Sequence, residues 1–387
     1  MPGRLLHSFA KPSSDSFINV VRGDMALLWD DAGREYIDAI GSLWYCQIGH
    51  GREEMAEAIA AQVRTLETYS TFDPFTNPLA DAAAERIAAL SPIHDARVFL
   101  CGSGSESIDT AMKLARTAQI QANHPERNVI ITRDRGYHGT NYGGTSAQGL
   151  PLNKVGWGEL LSGVVQVAAD DIEAMSLEFE RHAGRVAAVI AEPVQGAGGV
   201  WPADDEYLRG LRRLCDDNGA LLIFDEVITG FGRLGEWFGA QDYAVTPDMI
   251  TFAKGVTSGY QPLGGVICGR AVVDALETDP AFFLRTGYTY SGHATVCAAA
   301  LKNIEIIERE QLVPRARHVG DRIRGGLDAL AADGTTAGLR GRGAIWAAEL
   351  HPGVDATAIR DAMIKDGVIA RASPGCIAFC PPLVITD

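Results

Sequence analysis

Lys254 and Asp225 are the residues whose types and spacing most readily do chemistry. They stand 29 positions apart, and each closes a short apolar run: Leu221-Leu222-Ile223-Phe224 before Asp225-Glu226, and Met249-Ile250-Thr251-Phe252 before Ala253-Lys254-Gly255. An amine beside a carboxylate can act as nucleophile or base on a small molecule. The alternative is a surface lysine and a helix-capping aspartate that never meet. Which of the two holds depends on the elements around them. Apolar or β-branched runs ended by charge and glycine read as buried parallel strands. Gly230, Gly232, Gly235 and Pro247 leave too little pattern for a long helix between them, so the strands are expected to be neighbours in one sheet. Ligands of open α/β sheets bind at the carboxyl ends of the strands, where both residues would emerge.

Three further strand ends have the same style. Val98-Phe99-Leu100-Cys101 runs into Gly102-Ser103-Gly104-Ser105-Glu106, behind which Ile108, Ala111, Met112 and Ala115 repeat at helical spacing. Strand, Gly/Ser turn and helix start form a phosphate cradle, built from free N–H groups, the Ser105 hydroxyl and the helix dipole. The same turn can also cap a helix with no ligand present. It matches neither G-x-G-x-x-G nor the Walker pattern, which disfavours dinucleotides and nucleoside triphosphates. Val129-Ile130-Ile131-Thr132 precedes Arg135-Gly136-Tyr137-His138-Gly139, and Val186 to Ala191 precedes Glu192-Pro193-Val194-Gln195-Gly196. Five strand ends thus deliver a phosphate-type turn, an aromatic ring, two carboxylates and a lysine. One ligand suits all of them: a phosphorylated aromatic aldehyde.

These segments, with Phe224 to Arg233, Gly41-Ser42-Leu43-Trp44, Gly49-His50-Gly51, Tyr288 to His293 and Pro381-Pro382-Leu383-Val384, resemble in order and spacing the class III aminotransferases that use pyridoxal phosphate. The resemblance covers nearly the whole chain. It implies an α/β protein of fold type I, with a large, mainly parallel sheet between helices and a smaller α/β domain. It implies that Lys254 holds the cofactor aldehyde as a Schiff base and that Asp225 keeps the pyridine nitrogen protonated, making the ring an electron sink. Val227, two residues on along an extended segment, would floor the ring, and Tyr137 would stack on its other face. Gly104 and Ser105 would bind the phosphate, and Glu192 would lie close to the cofactor or serve structure alone. Thr289 resembles the residue that reaches the phosphate from the neighbouring subunit, which implies a homodimer with shared sites. Ser107 stands where the motif usually has alanine, and Gly102 where asparagine is common. Neither change should disturb the cradle.

Trp44 resembles the aromatic wall of the amine pocket in the ω-aminotransferase branch, and Arg371 the mobile arginine that binds a carboxylate or swings away for an apolar amine. The plainer readings are a core tryptophan and a solvated arginine. Ala197 replaces a glutamate that gates this arginine in ornithine- and 4-aminobutyrate-type relatives. The expected donor is therefore an amine or ω-amino acid, with pyruvate as acceptor and ping-pong kinetics. An aminomutase or decarboxylase of the same fold would use the same lysine and aspartate. A non-catalytic binding protein would be expected to have lost one of them, and a nicotinamide-dependent dehydrogenase needs a glycine turn that is missing.

Composition sets outer bounds. The 387 residues are 47% hydrophobic, enough for a substantial core, and carry 34 Lys and Arg against 49 Asp and Glu, a formal charge of −15. That balance disfavours nucleic acid and anionic membranes as partners. Seven scattered cysteines, with no C-x-x-C or H-E-x-x-H spacing, favour a reducing compartment and no metal. Met1 to His7 lacks the apolar core of a signal peptide, so a cytoplasmic location is expected. Residues 1–45 are expected to form an N-terminal arm, 46–295 the large cofactor domain and 296–387 the rest of the small domain. Members of the family usually continue beyond the Pro381 to Val384 motif into a closing helix. Its absence would expose apolar surface, as a natural short form, a truncation or a face covered by a partner.

Overall fold

The apolar runs that end in charge or glycine lie side by side in one seven-stranded sheet. A computed structural model describes residues 4–387, so the first three residues of the opening stretch read above lie outside it. The strand order is Arg97–Cys101, Gly264–Cys268, Met249–Phe252, Leu221–Asp225, Val186–Ala191, Val129–Arg133 and Val164–Val167. Gly264–Cys268 pairs antiparallel with both neighbours, whereas the other four ladders are parallel. The mainly parallel α/β sheet implied by the resemblance is therefore present.

Burial on both faces explains the continuous apolar runs. Leu221 and Ile223 join Ile108, Ala111, Met112 and Ala115 of the helix Gly104–Gln121 in one core cluster. Leu222 and Phe224 point the other way, into a cluster with Leu208 and Leu211 of the helix Asp205–Asn218 and with Ile304 and Ile307 of the helix Ala294–Arg309. Successive strand residues alternate faces, so a strand covered on both sides must be apolar at every position.

Leu221–Asp225 and Met249–Phe252 are parallel neighbours, with Asp225 opposite Thr251. Only the short helix Gly239–Asp242 lies between them in sequence, as the glycines and proline suggested. Two strands of the sheet were not legible in advance. Gly264–Cys268 opens on two glycines, which lowers strand propensity. Here they are needed for close approach: a Cβ on Gly264 would lie 2.6 Å from the Ser103 carbonyl oxygen, and one on Gly265 2.5 Å from the Phe99 carbonyl oxygen. Val164–Val167 is a short run of only four residues, at the sheet edge.

Away from this sheet, Val20–Asp24, Leu27–Asp30 and Glu35–Asp38 form an antiparallel meander, and Val368–Ile369 adds to Glu35–Asp38 in parallel. Gly338–Arg342, Ile345–Glu349, Cys376–Phe379 and Arg371–Ser373 make a separate antiparallel sheet. Among the described residues no helix is long and apolar enough to cross a membrane.

Candidate active site

Asp225 ends its strand in the sheet interior, and each of its oxygens is held. Oδ2 lies 2.7 Å from His138 Nδ1, while Oδ1 takes the Thr251 hydroxyl at 3.3 Å and the Val227 N–H at 3.2 Å. A carboxylate offers no proton, so each of these groups donates to it. The Val227 contact also corrects one expectation. The extended segment stops at Asp225 and residues 227–230 form a turn, capped by the aspartate side chain. Val227 still faces the cradle, since a Cβ on Gly104 would come within 3.0 Å of its Cγ1.

Glu192 is buried beside this group. It accepts the Tyr137 N–H at 2.8 Å and the Gly196 N–H at 3.2 Å. Burial nevertheless pushes its carboxyl up to about 7; His138 opposes the rise and Asp225 reinforces it. Lys254 shares the same enclosure. Burial pulls its amine below the ordinary lysine value, against the pull of Asp225 and then Glu192. A lowered lysine pKa leaves more neutral amine, the form that acts as nucleophile or base.

Tyr137 is half-buried, and its hydroxyl is pushed up by burial and drawn back by Arg371. Arg371 is itself partly buried; burial lowers its pKa, Tyr137 opposes that, and its Nε is enclosed without a hydrogen-bond partner. Among the described residues it forms no ion pair. Trp44 is buried with a left-handed φ of 69°. A Cβ on Gly196 would lie 3.2 Å from the Trp44 ring and 2.6 Å from Ile228 Cδ1, so these two side chains close over the loop that follows Glu192.

The cradle begins where Ser103 caps the helix Gly104–Gln121, its Oγ accepting the Glu106 N–H at 3.2 Å. Ser103's carbonyl takes the Ser107 N–H, so Gly104 and Ser105 keep N–H groups with no intrahelical acceptor. Ser105 Oγ accepts the Thr140 N–H at 3.0 Å, which leaves its own proton to donate. Ser107, the unusual residue, is buried with its Oγ 2.8 Å from the Ser103 carbonyl and 3.0 Å from the Phe252 carbonyl. It ties the cradle to the strand that leads to Lys254.

Nine of the ten expected site residues therefore fall on this face of the sheet or beside it. Thr289 stands apart, exposed in the segment after Tyr288. Tyr288 fastens that segment to the cradle helix, its hydroxyl 3.2 Å from Thr110 Oγ1 and 3.3 Å from the Glu106 carbonyl. His138 and Thr140 were given no role from sequence. The only available signal was their place next to Tyr137 and Gly139, since nothing local says that a histidine will meet an aspartate 87 positions away.

Residues 8–387 match the family described as Aminotransferase class-III. The chain belongs to the class III aminotransferases. This aminotransferase is 37% identical over 355 residues to the beta-alanine–pyruvate aminotransferase of Pseudomonas aeruginosa, which covers 86% of this chain and 79% of that one. To the omega-aminotransferase of Caulobacter vibrioides it is 35% identical over 380 residues, 91% of this chain and 86% of the other. A solved amine transaminase from an uncultivated Pseudomonas species, in its PLP-bound form, superposes with a TM-score of 0.96 at 35% identity, over 100% of this chain and 95% of that one. Its cofactor is pyridoxal phosphate. The aminotransferase's own residues fit that group. The cradle has free donors for a phosphate, the Asp225 carboxylate is held rigidly, and Lys254, buried in the same enclosure, has a depressed pKa.

Proposed function

We propose that this aminotransferase moves an amino group from an amine or ω-amino acid to pyruvate by a ping-pong mechanism. The observation that carries the donor and acceptor reading is Arg371, half-buried beside Tyr137 and near Lys254, with no carboxylate paired to it among the described residues. Ala197 cannot gate it. Such a guanidinium is available to a substrate carboxylate, which both an ω-amino acid and a keto acid carry. The name of the beta-alanine–pyruvate relative supports the same pairing.

Pyridoxal phosphate, when bound, supplies an electron sink for the substrate carbon that loses its proton. Lys254 would anchor it, and its free Nζ would take that proton, helped by burial that disfavours the ammonium form. Asp225 would face the ring nitrogen, and His138 and Thr251 keep its carboxylate from rotating. Gly104 and Ser105 would hold the phosphate, and Val227 and Tyr137 would contact the ring. Glu192 carries the Tyr137 backbone into place. Trp44 walls the substrate side.

Thr289 is proposed to complete the cradle of a second subunit. Its exposure, with that of Tyr290 and of Tyr69, Phe72, Phe75 and Phe283, suits a face that a homodimer would cover. The same reading assigns 46–295 to the cofactor domain and 1–45 with 296–387 to a small domain, supported by the pairing of Val368–Ile369 with Glu35–Asp38. It places the enzyme in the cytoplasm. A donor screen with pyruvate and 2-oxoglutarate as alternative acceptors tests reaction and specificity together. Turnover with 2-oxoglutarate but none with pyruvate would reject the acceptor assignment.

A further inference from the structure

Lys254 occupies a left-handed backbone conformation, φ 47°, that a residue with a side chain adopts only when its surroundings impose it. The surroundings can be named. The turn Lys254–Val256 lies against the helix Ala294–Arg309, from which the fully buried Asn303 reaches it. Asn303 Nδ2 donates to the Gly255 carbonyl at 2.9 Å and to the Val256 carbonyl at 2.9 Å. Its Oδ1 accepts the Ser258 hydroxyl at 2.6 Å, and Ser258 Oγ accepts the Ile48 N–H at 3.3 Å. Gly255 is also pressed by Gln47, whose amide nitrogen would lie 2.0 Å from a Cβ there.

We infer that Asn303 is the positioning residue that holds Lys254 in its working conformation, an inference that rests on the reading of Lys254 as the covalent anchor. Three hydrogen bonds from one amide fall on the four residues that follow the lysine. Both carbonyls belong to a tight turn, where neither is used by a continuing helix. Only a short primary amide offers two N–H donors and an acceptor at that reach. Aspartate would face two carbonyl oxygens with a third acceptor, and alanine would leave the Val256 carbonyl unpaired and the Gly255 carbonyl with only the long 3.4 Å contact from the Ser258 N–H. Without the clamp, the backbone at Lys254 is free to leave the left-handed region, and Nζ moves with it.

The test uses full-length holoenzyme and protein stripped of cofactor. The stripped protein is mixed with pyridoxal phosphate and quenched with borohydride at timed intervals. The Lys254 amine condenses with the aldehyde, water leaves, and hydride from borohydride makes the bond permanent, so mass spectrometry reads the rate of attachment at Lys254. For Asn303→Ala we expect attachment slowed at least tenfold and kcat lowered at least tenfold, with KM and non-covalent cofactor affinity within threefold of wild type. Asn303→Asp should be no better. Ser258→Ala removes one of the three bonds to Asn303, together with the acceptor of the Ile48 N–H, and should slow attachment about threefold; it decides the question if the Asn303 variants do not fold. Wild-type attachment rates in the folded Asn303→Ala protein, or in Ser258→Ala where that alone folds, would overturn the inference. So would a loss of cofactor affinity and thermal stability in proportion to the loss of attachment, which marks a purely structural residue. Lys254→Ala separates the two claims. Wild-type turnover in Lys254→Ala sinks the anchor reading itself, whereas an inert Lys254→Ala alongside a normal Asn303→Ala rejects the role of Asn303 alone.

Discussion

His138 Nδ1 lies 2.7 Å from Asp225 Oδ2, joining the loop after one strand to the end of another two places along the sheet. The imidazole donates to the carboxylate that is proposed to face the cofactor nitrogen, so it fixes both the rotation and the charge distribution of that group. Losing a buried hydrogen bond to a charged partner costs about 1.5–3 kcal/mol, a factor of ten or more in rate if the bond serves the transition state. His138→Phe should lower kcat by at least that factor and change KM little, while His138→Asn, which retains a donor, should recover part of it. Steady-state kinetics with a single amine donor and pyruvate decide it. Equal kcat in both variants and wild type would remove His138 from the site.

The amine of Lys254 makes a prediction in pH. Burial lowers its pKa from the ordinary 10.5, so the neutral base gains population at lower pH than for a solvated lysine. The profile of kcat, which reports groups in the substrate complex where Lys254 would be released from the cofactor, should rise with pH through a midpoint below that value, and Lys254→Ala should be inactive at every pH. A profile that still climbs beyond pH 10.5 would argue against a buried base.

Glu192 and Glu226 make a prediction about stability. Glu226 accepts the N–H groups of Gly239 and Ala240 and the Thr229 hydroxyl, yet burial raises its carboxyl from 4.5 to about 7, as it does for Glu192. The sign follows from the protons bound. Between pH 4.5 and 7 the folded chain retains protons that the unfolded chain has released, so each such group makes stability fall as pH rises through this window. Urea unfolding of cofactor-free protein across this range should show the decline, and Glu226→Gln should flatten it by about one proton's worth. An unchanged slope would mean that Glu226 is ionised throughout.

Gly139 faces the cradle with φ 91°, and a Cβ there would lie 2.6 Å from Ser105 Oγ. Gly139→Ala must therefore displace the serine or the loop. Cofactor affinity should fall at least tenfold, with donor specificity unchanged, as measured by fluorescence titration of stripped protein. Wild-type affinity would place the phosphate elsewhere.

Shared sites can be tested by mixing. A Lys254→Ala subunit retains Thr289, and a Thr289→Ala subunit retains Lys254, so a mixed dimer should contain one intact site while neither parent has any. Cofactor affinity at that site should match wild type, at least tenfold tighter than in the Thr289→Ala homodimer, given about 1.5–3 kcal/mol for a hydrogen bond to phosphate. No recovery on mixing, or an active monomer in sedimentation, would end the shared-site proposal.

The strand ends, the cradle turn and the lysine were legible in the sequence because they are local. Apolar runs flanked by glycine and charge report burial on both faces, and the turn Gly102 to Glu106 announces its own helix start. Neighbouring placement of Leu221–Asp225 and Met249–Phe252 could be argued from the short, helix-poor link between them. What joins distant positions could not. Whether His138 meets Asp225, whether Arg371 finds a carboxylate, and whether Asn303 grips the turn after Lys254 depend on strand order and helix packing; the first and last of these join residues 87 and 48 positions apart. Even Val227, expected to floor the cofactor ring from an extended segment, comes to lie against Gly104 through a turn, because the Asp225 side chain captures its N–H. Sequence periodicity records which face each element buries. Side-chain pairing across elements is settled only when those faces are stacked, since each contact is a product of two backbones whose relative placement no local pattern encodes.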